Sequence, residues 1–235
     1  MELLVVVVII IALAALSLMG IDRFRKAGDK AVAIRNISQL HIANTGWAAD
    51  HNGRYVSVYA FDQDKKQLPQ ANWHANASFL GYLNGEGVTV KSKTNEPSVP
   101  LSMLDPVVVR AKKFQHDSYQ ASYGYNHEGI EGNRWGDPSV DRSFFVHQIV
   151  SPERSCAFIS CTDWIAKYSG RYLWTGSGAT EGKTPDGKIA FRHGGKALVV
   201  YYDGHVGEVS ANDLKKFDSA TPSGDKSIFW NADGK

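Results

Sequence analysis

The sequence predicts an α+β protein, with one long N-terminal helix followed by a larger β-rich, loop-rich domain. Three observations predict it. Through the first 50 residues, apolar residues recur without a breaker strong enough to stop a helix. After Tyr55 the chain turns to short runs of β-branched and aromatic residues separated by Gly, Pro, Asn and Asp. KALVVYYDGHVGEVS (196–210) then sets Asp203-Gly204 between two such runs, a strong hairpin signal.

The helix reads in two parts. In residues 1–21 (MELLVVVVIIIALAALSLMGI) the run from Leu3 to Ile21 is 19 residues long and uncharged, broken only by Ser17 and Gly20. At 1.5 Å per residue it spans about 28 Å, one bilayer core. A cleaved secretory signal fits poorly, because no basic region precedes the run, the run is too long and more helix follows. In residues 22–50 the apolar positions Ile21, Phe24, Ala27, Ala31, Ile34, Ile37, His41 and Asn44 recur at three- and four-residue steps, beside Leu40, Ala43 and Trp47. Arg23, Arg25, Lys26, Asp29, Lys30 and Arg35 fall between them. This predicts an amphipathic continuation with one apolar stripe, stopped by HNGRY (51–55). The whole helix would be about 75 Å long, softest near Gly20.

Residues 51–235 read as one globular β-rich domain. A short helix is expected within 72–83 and an exposed loop or edge strand over 85–102. Strands are expected at SYGYN (122–126), SFFVHQIV (143–150), SCAFISC (155–161) and RYLWTG (171–176), and a loop-like tail over 218–235. Composition is ordinary, at 43% hydrophobic and 21% charged with a net charge of +2, which predicts no nucleic-acid partner. Cys156 and Cys161 lie five apart on one strand and so are expected on opposite faces, where a disulfide would need a kink.

Candidate chemistry is sparse. His193, Asp203 and His205 suggest a metal triad or an acid–base pair, but Asp203 is explained as a turn residue that tolerates positive φ. SGATEGKT (177–184) nearly matches a phosphate-binding loop, yet Ser177 replaces the first Gly and Pro185-Asp186-Gly187 stands where a helix should start. FDQDKK (61–66) lacks the Gly and distal Glu of a calcium loop; loop-bound calcium near Asp218 and Asp225 is the one cofactor considered. Asn36 and Asn76 sit in N-x-S sequons. Trp73, Trp135, Trp164 and Trp174 read as core or subunit contacts sooner than as a carbohydrate platform. The expectation is a chain with no catalytic, cofactor or metal site.

The combination of features carries a resemblance. Glu2, Leu3, Leu4 and Val5, followed by an oily helix and a charged continuation, resemble the E-L-L-V part of the type IV pilin and pseudopilin start, F-T-L-I-E-L-L-V. That alignment puts Met1 at the Ile position, with the family's leader, cleavage site and methylated Phe ahead of it. RNISQLHIANTGWAADHNGRY (35–55) resembles the N-L-K-Q-I-G-L-A…Y-x-x-D-N-x-G-R-Y stretch of large bacterial pilin-like proteins. SYGYN, and His193 followed after nine residues by Asp203-Gly204, resemble the prepilin-type H-X9-DG domain. The resemblance covers 1–55 closely and 120–210 more loosely.

It implies a type IV pilin-like fold, with the outer half of the helix packed on an antiparallel sheet. It also implies a structural role as a helical homopolymer at the bacterial cell surface, drawn from the inner membrane by assembly machinery after a prepilin peptidase has acted. The alternative within the family is a pseudopilin of a type II secretion system; outside it, a membrane-anchored binding protein or enzyme. Candidate assembly residues are Glu2, Leu3, Leu4, Val5, Val8, Ile11, Gly20 and Phe24, and the family signature is His193, Asp203 and Gly204. A carboxylate buried in a bundle of such helices needs a partner or a proton. In pilins that partner is thought to be a neighbouring subunit's α-amino group, which would make Glu2 a register device. One feature opposes the implied orientation: Arg23, Arg25, Lys26 and Lys30 follow the span, and by the positive-inside rule they favour the cytoplasm.

Overall fold

The computed structural model describes residues 2–58, 72–83, 99–111, 122–128, 143–172, 187–217 and 228–234, with backbone alone for 2–5, 12–19, 101, 111, 171 and 172. FDQDKK, residues 85–98, SGATEGKT, Trp135, Trp174, Asp218 and Asp225 lie outside the described residues.

Helix α1 (Glu2–Asp50) is a single element of 49 residues, about 74 Å long, and runs through Gly20 and Gly28 without a break. HNGRY ends it: Asn52 and Gly53 take φ of 54° and 77°, and the Gly53 N–H bonds the Ala48 carbonyl at 2.8 Å. The domain adds α2 (Ala77–Leu80), α3 (Pro106–Ala111) and α4 (Ala211–Lys216). Its strands are β1 (Tyr123–Asn126), β2 (Cys156–Ser160), β3 (Ile165–Ala166), β4 (Lys196–Tyr201) and β5 (Val206–Ser210). They form one sheet in the order β3-β1-β2-β4-β5. The protein is α+β.

The expected antiparallel sheet is corrected at one edge, because β3 runs parallel to β1. After β2 the chain turns within Cys161–Trp164 and crosses to the far side of β1. Gly124 permits the crossing. A Cβ there would stand 2.7 Å from the Ala166 nitrogen and 2.8 Å from the Ile165 carbonyl carbon. Residues 143–150 are also corrected: Phe145 makes an isolated bridge to Arg54, and Val146–Gln148 is a 3-10 turn. The Gln148 side chain accepts the Phe145 N–H at 2.8 Å and closes that turn. Arg171 and Tyr172 end another 3-10 turn, Tyr168–Tyr172, and not a strand.

Both sheet faces are covered. Leu198 and Val200 on β4 face α1, while Ala197 and Val199 face a second layer with Leu214 of α4, Ile189, Phe229 and Trp230. On β2 the alternation breaks. A register shift between Cys156 and Phe158 turns Ala157 and Phe158 together toward α1. It also puts Cys156 and Cys161 in the same far layer, correcting their expected placement on opposite faces. Both are buried free thiols, and burial pushes Cys161 up to about 12 and Cys156 well above its ordinary value. Trp73 and Trp164 belong to the core, the Trp73 indole N–H donating to the Trp164 carbonyl at 2.8 Å.

Gly124→Ala should lower stability by about 3 kcal/mol through backbone overpacking, read as a shifted denaturant midpoint. A neutral result would mean that the β3 crossing does not lie over Gly124.

Candidate assembly interface

The sheet holds α1 by one sector only. Ala33, Ile37, Leu40 and Ala43 are buried against Tyr123, Tyr125, Phe158, Leu198 and Val200. Three polar side chains fix the helix in rotation and height. Asn36 Nδ2 donates to the carbonyls of Ser102 and Leu104 at 2.9 and 2.8 Å. Asn44 Nδ2 donates to the Tyr125 hydroxyl at 3.1 Å, and its Oδ1 accepts the Val56 N–H at 3.0 Å. The Tyr123 hydroxyl donates to the Ala33 carbonyl at 3.1 Å. A buried Asn36 in this arrangement is a structural amide, and Asn76 caps α2 by accepting the N–H groups of Ser78 and Phe79.

The expected single apolar stripe is corrected. Ile37, His41 and Asn44 are buried and Ile34 partly so, but Ile21, Phe24, Ala27 and Ala31 are exposed. The cause is phase. From Ile21 to Asn44 the stripe advances about 3.3 residues per step on a helix of about 3.6 per turn, so it winds through about 220°. Where Asn44 faces the sheet, Phe24 faces away from it, 81% exposed. Phe24, Ala31 and Ile42 lie within about 20° of one another on the helical wheel and form an outer ridge opposite the domain.

Below Gly28 the rod leaves the domain. Its last fastenings are ion pairs: Asp29 with Arg110 of α3, and Lys30 with Glu208 of β5 at 2.5 Å. Among the sequence-predicted assembly residues, Val8 and Ile11 are 56% and 63% exposed, and Gly20 is half-buried beside Phe24. Glu2, Leu3, Leu4 and Val5 are helical in backbone, and their side chains lie outside the described residues. Among the described residues, no helix is long and apolar enough to cross a membrane; residues 12–19 of the apolar run are described in backbone alone.

The signature residues serve the frame and do not converge. Asp105 caps α3: its Oδ1 accepts the Val107 N–H at 2.9 Å, with Pro106 at the first helical position. Its Oδ2 accepts from His193 Nε2 at 3.0 Å, both side chains being buried. Burial pushes the Asp105 carboxyl up, but the His193 bond, the Arg192 charge and the Val107 N–H outweigh it and hold the group below its ordinary value. His193 opens a tight turn in which Gly194 and Gly195 take φ of 66° and 79°, so the pair joins the start of β4 to the start of α3.

Asp203 and Gly204 sit instead on the β4–β5 turn. The expected two-residue loop is a three-residue one, Tyr202-Asp203-Gly204, closed by Tyr201 N–H to the His205 carbonyl at 3.0 Å. Only Gly204 takes positive φ, at 92°; Asp203 does not, and its Oδ1 accepts the His205 N–H at 3.1 Å. A Cβ on Gly204 would stand 3.4 Å from His41 Cδ2 of α1, so the turn packs directly on the helix. Asp203 also meets His205 Nδ1 at 2.7 Å, far from the buried His193–Asp105 pair in role and surroundings. Among the described residues, no group of three or more His, Cys, Asp or Glu is placed to hold a metal ion. Asp105 went unmarked in the sequence, although Asp before Pro at a helix start was a readable signal.

His193→Ala should lower stability by about 3 kcal/mol, since it strands a buried carboxylate; Asp105→Asn should cost less, because the amide still accepts at the helix cap. Equal, small losses would show the pair to be idle. A pH effect follows from His41, whose pKa burial lowers from 6.5 against the opposing pull of the Asp203 carboxylate and the Tyr202 backbone. The unfolded ring binds its proton more readily, so its contribution is complete above 6.5 and is lost as pH falls through the lower folded value. Melting curves of wild type and His41→Gln should therefore diverge between neutral pH and about pH 5, with the wild type losing more.

No family model matches the chain, and no curated protein or solved structure is similar enough to count as a relative.

Proposed function

We propose that this chain is a structural subunit of an extracellular type IV pilus-like filament, polymerising through α1 with its apolar N-terminal half as the shared core. The observation that carries the reading is the division of α1. Its upper half is closed against the sheet, whereas Val6 to Ile11, Ile21 and Phe24 are each about half exposed or more. Covering these eight side chains would contribute on the order of 10 kcal/mol. A rod of this kind is not at rest in water. It is served first by lipid, across the 19 residues from Leu3 to Ile21, and then by copies of itself.

The outer ridge favours assembly over a plain tether. An enzyme or binding protein that used α1 only as an anchor would close the stripe of residues 21–47 within its own domain. Ile21, Phe24 and Ile42 instead face away from it. A pseudopilin of a type II secretion system would use the same division for a short periplasmic assembly, and immunolocalisation of the polymer separates that alternative from a surface filament.

Phe24→Glu should abolish filaments seen by electron microscopy in the presence of the assembly machinery, while the domain melts as wild type because Phe24 touches no core residue. Glu2→Ala should reduce filament yield sharply if that carboxylate sets register between subunits. Normal yield from both variants would end the filament reading.

A further inference from the structure

The projecting rod and the underside of the domain enclose a cleft of about 740 Å³, lined by Asp22, Arg25, Lys26, Asp29 and Lys30 of α1 and by Arg110, Arg192 and the Gly194-Gly195 turn. We infer that this cleft binds the phosphodiester headgroup of an anionic phospholipid while the subunit is held in the bilayer. The inference rests on the proposed function, and specifically on the membrane stage that precedes assembly.

The first support is charge. Five cationic side chains line the cleft against two carboxylates. Asp29 is engaged by Arg110 and Lys30 by Glu208. Among the described residues Lys26 pairs only with the exposed Asp22, at 3.7 Å, a pairing of little strength in water. Arg25 makes no ion pair among the described residues, and its planar guanidinium suits two oxygens of one phosphate.

The second support is position. Arg25 and Lys26 stand about 6–8 Å beyond Ile21 along the helix axis, the depth of the headgroup layer beside a hydrocarbon core that ends at Ile21. They share the helix sector that faces the domain, so the domain forms the roof of the cleft and lipid its floor. The third support is the roof itself. At Gly194 and Gly195 no atom beyond the adjoining residues lies within 4 Å of where a Cβ would stand, and the turn lines the cleft with backbone alone. Each juxtamembrane cation favours anionic lipid about fivefold, so two of them give a preference on the order of thirtyfold.

Full-length protein reconstituted into vesicles tests this. Flotation with pure phosphatidylcholine vesicles reports membrane insertion of the rod, independently of the cleft. Native mass spectrometry of protein released from vesicles with phosphatidylglycerol as the minor component reports the retained lipid. The expected result is enrichment of phosphatidylglycerol on the order of thirtyfold over its share, lost in the R25Q/K26Q double variant. R23Q, on the same helical turn but outside the cleft, should keep it, and excess inorganic phosphate should not displace it. Both Arg25 and Lys26 are exposed and outside the core, so the double variant should melt as wild type. Equal retention of both lipids, an equal loss in R23Q, or displacement by phosphate would each overturn the headgroup assignment while leaving the filament reading intact. Failure to float with phosphatidylcholine would instead remove the membrane stage, and both readings with it.

Discussion

Between Ala33 and Ala48 one sector of α1 is closed by the sheet, and that closure fixes what every other sector of the helix can do. A helix turns about 100° per residue, so once Leu40 points at the core the direction of every other residue follows. Phe24 and Ile42 then face outward together, and Asp22, Arg25, Lys26 and Asp29 fall on the domain side, below the point where the domain ends. Had the apolar positions kept to a 3.6-residue spacing, the stripe would have stayed on one side. Phe24 would then have lain on the domain side, and the outward apolar surface would have been confined to Ile42 and the run from Val6 to Ile11.

The closure is therefore worth holding at a defined rotation, and the buried polar groups do that better than aliphatic packing. A Leu or Ala face tolerates a slip of the helix by part of a turn, since dispersion contacts are non-directional. Asn36 and Asn44 do not. Each has its amide committed to specific partners, two carbonyls for Asn36 and a hydroxyl and an N–H for Asn44, and rotating the helix would strand all of them in a dry interior. The Gly204 turn seated against His41 and the His193–Asp105 pair act on the same joint from the domain side. One sets a hairpin directly on α1, and the other ties β4 to α3, whose Arg110 grips Asp29.

What was legible in the sequence followed the strength of local signals. The length and end of α1, the hairpin at Asp203-Gly204, the strands at 123–126 and 156–160 and the short helix near 77–80 were all marked by periodicity or turn chemistry. The two six-residue helices were overlooked because each is too short to show a period; their marks were caps alone, Asp105-Pro106 for α3 and the Ser210–Asp213 box for α4. The parallel β3 was unreadable, since two residues carry no alternation and the crossing depends on a close backbone approach to Gly124 that only the assembled sheet reveals. The Cys156 and Cys161 placement failed for a similar reason: strict alternation is a rule for unbroken ladders, and the shift at Phe158 breaks this one. As to the candidate interface, the apolar residues were legible individually, but their winding was not, because steps of three and four look alike until they are summed.

The same summation bears on the cations that follow the apolar run. Taken as a cluster, Arg23, Arg25, Lys26 and Lys30 argue for a cytoplasmic flank, which opposes a domain exported with the rod. Taken by phase and partner, they are not a cluster. Lys30 is neutralised by Glu208, and Arg25 and Lys26 belong to the cleft beneath the domain, so Arg23 alone stays outside it. The positive-inside bias acts on charges that stay hydrated and unpaired beside the membrane during insertion. Of these cations the domain pairs Lys30 alone, through Glu208, so among the described residues Arg23 and Arg25 keep their full bias and that of the flank is lowered without being removed. The basic flank and the overhanging domain are in that sense coupled, through the Lys30–Glu208 pair and the cleft that Arg25 and Lys26 line.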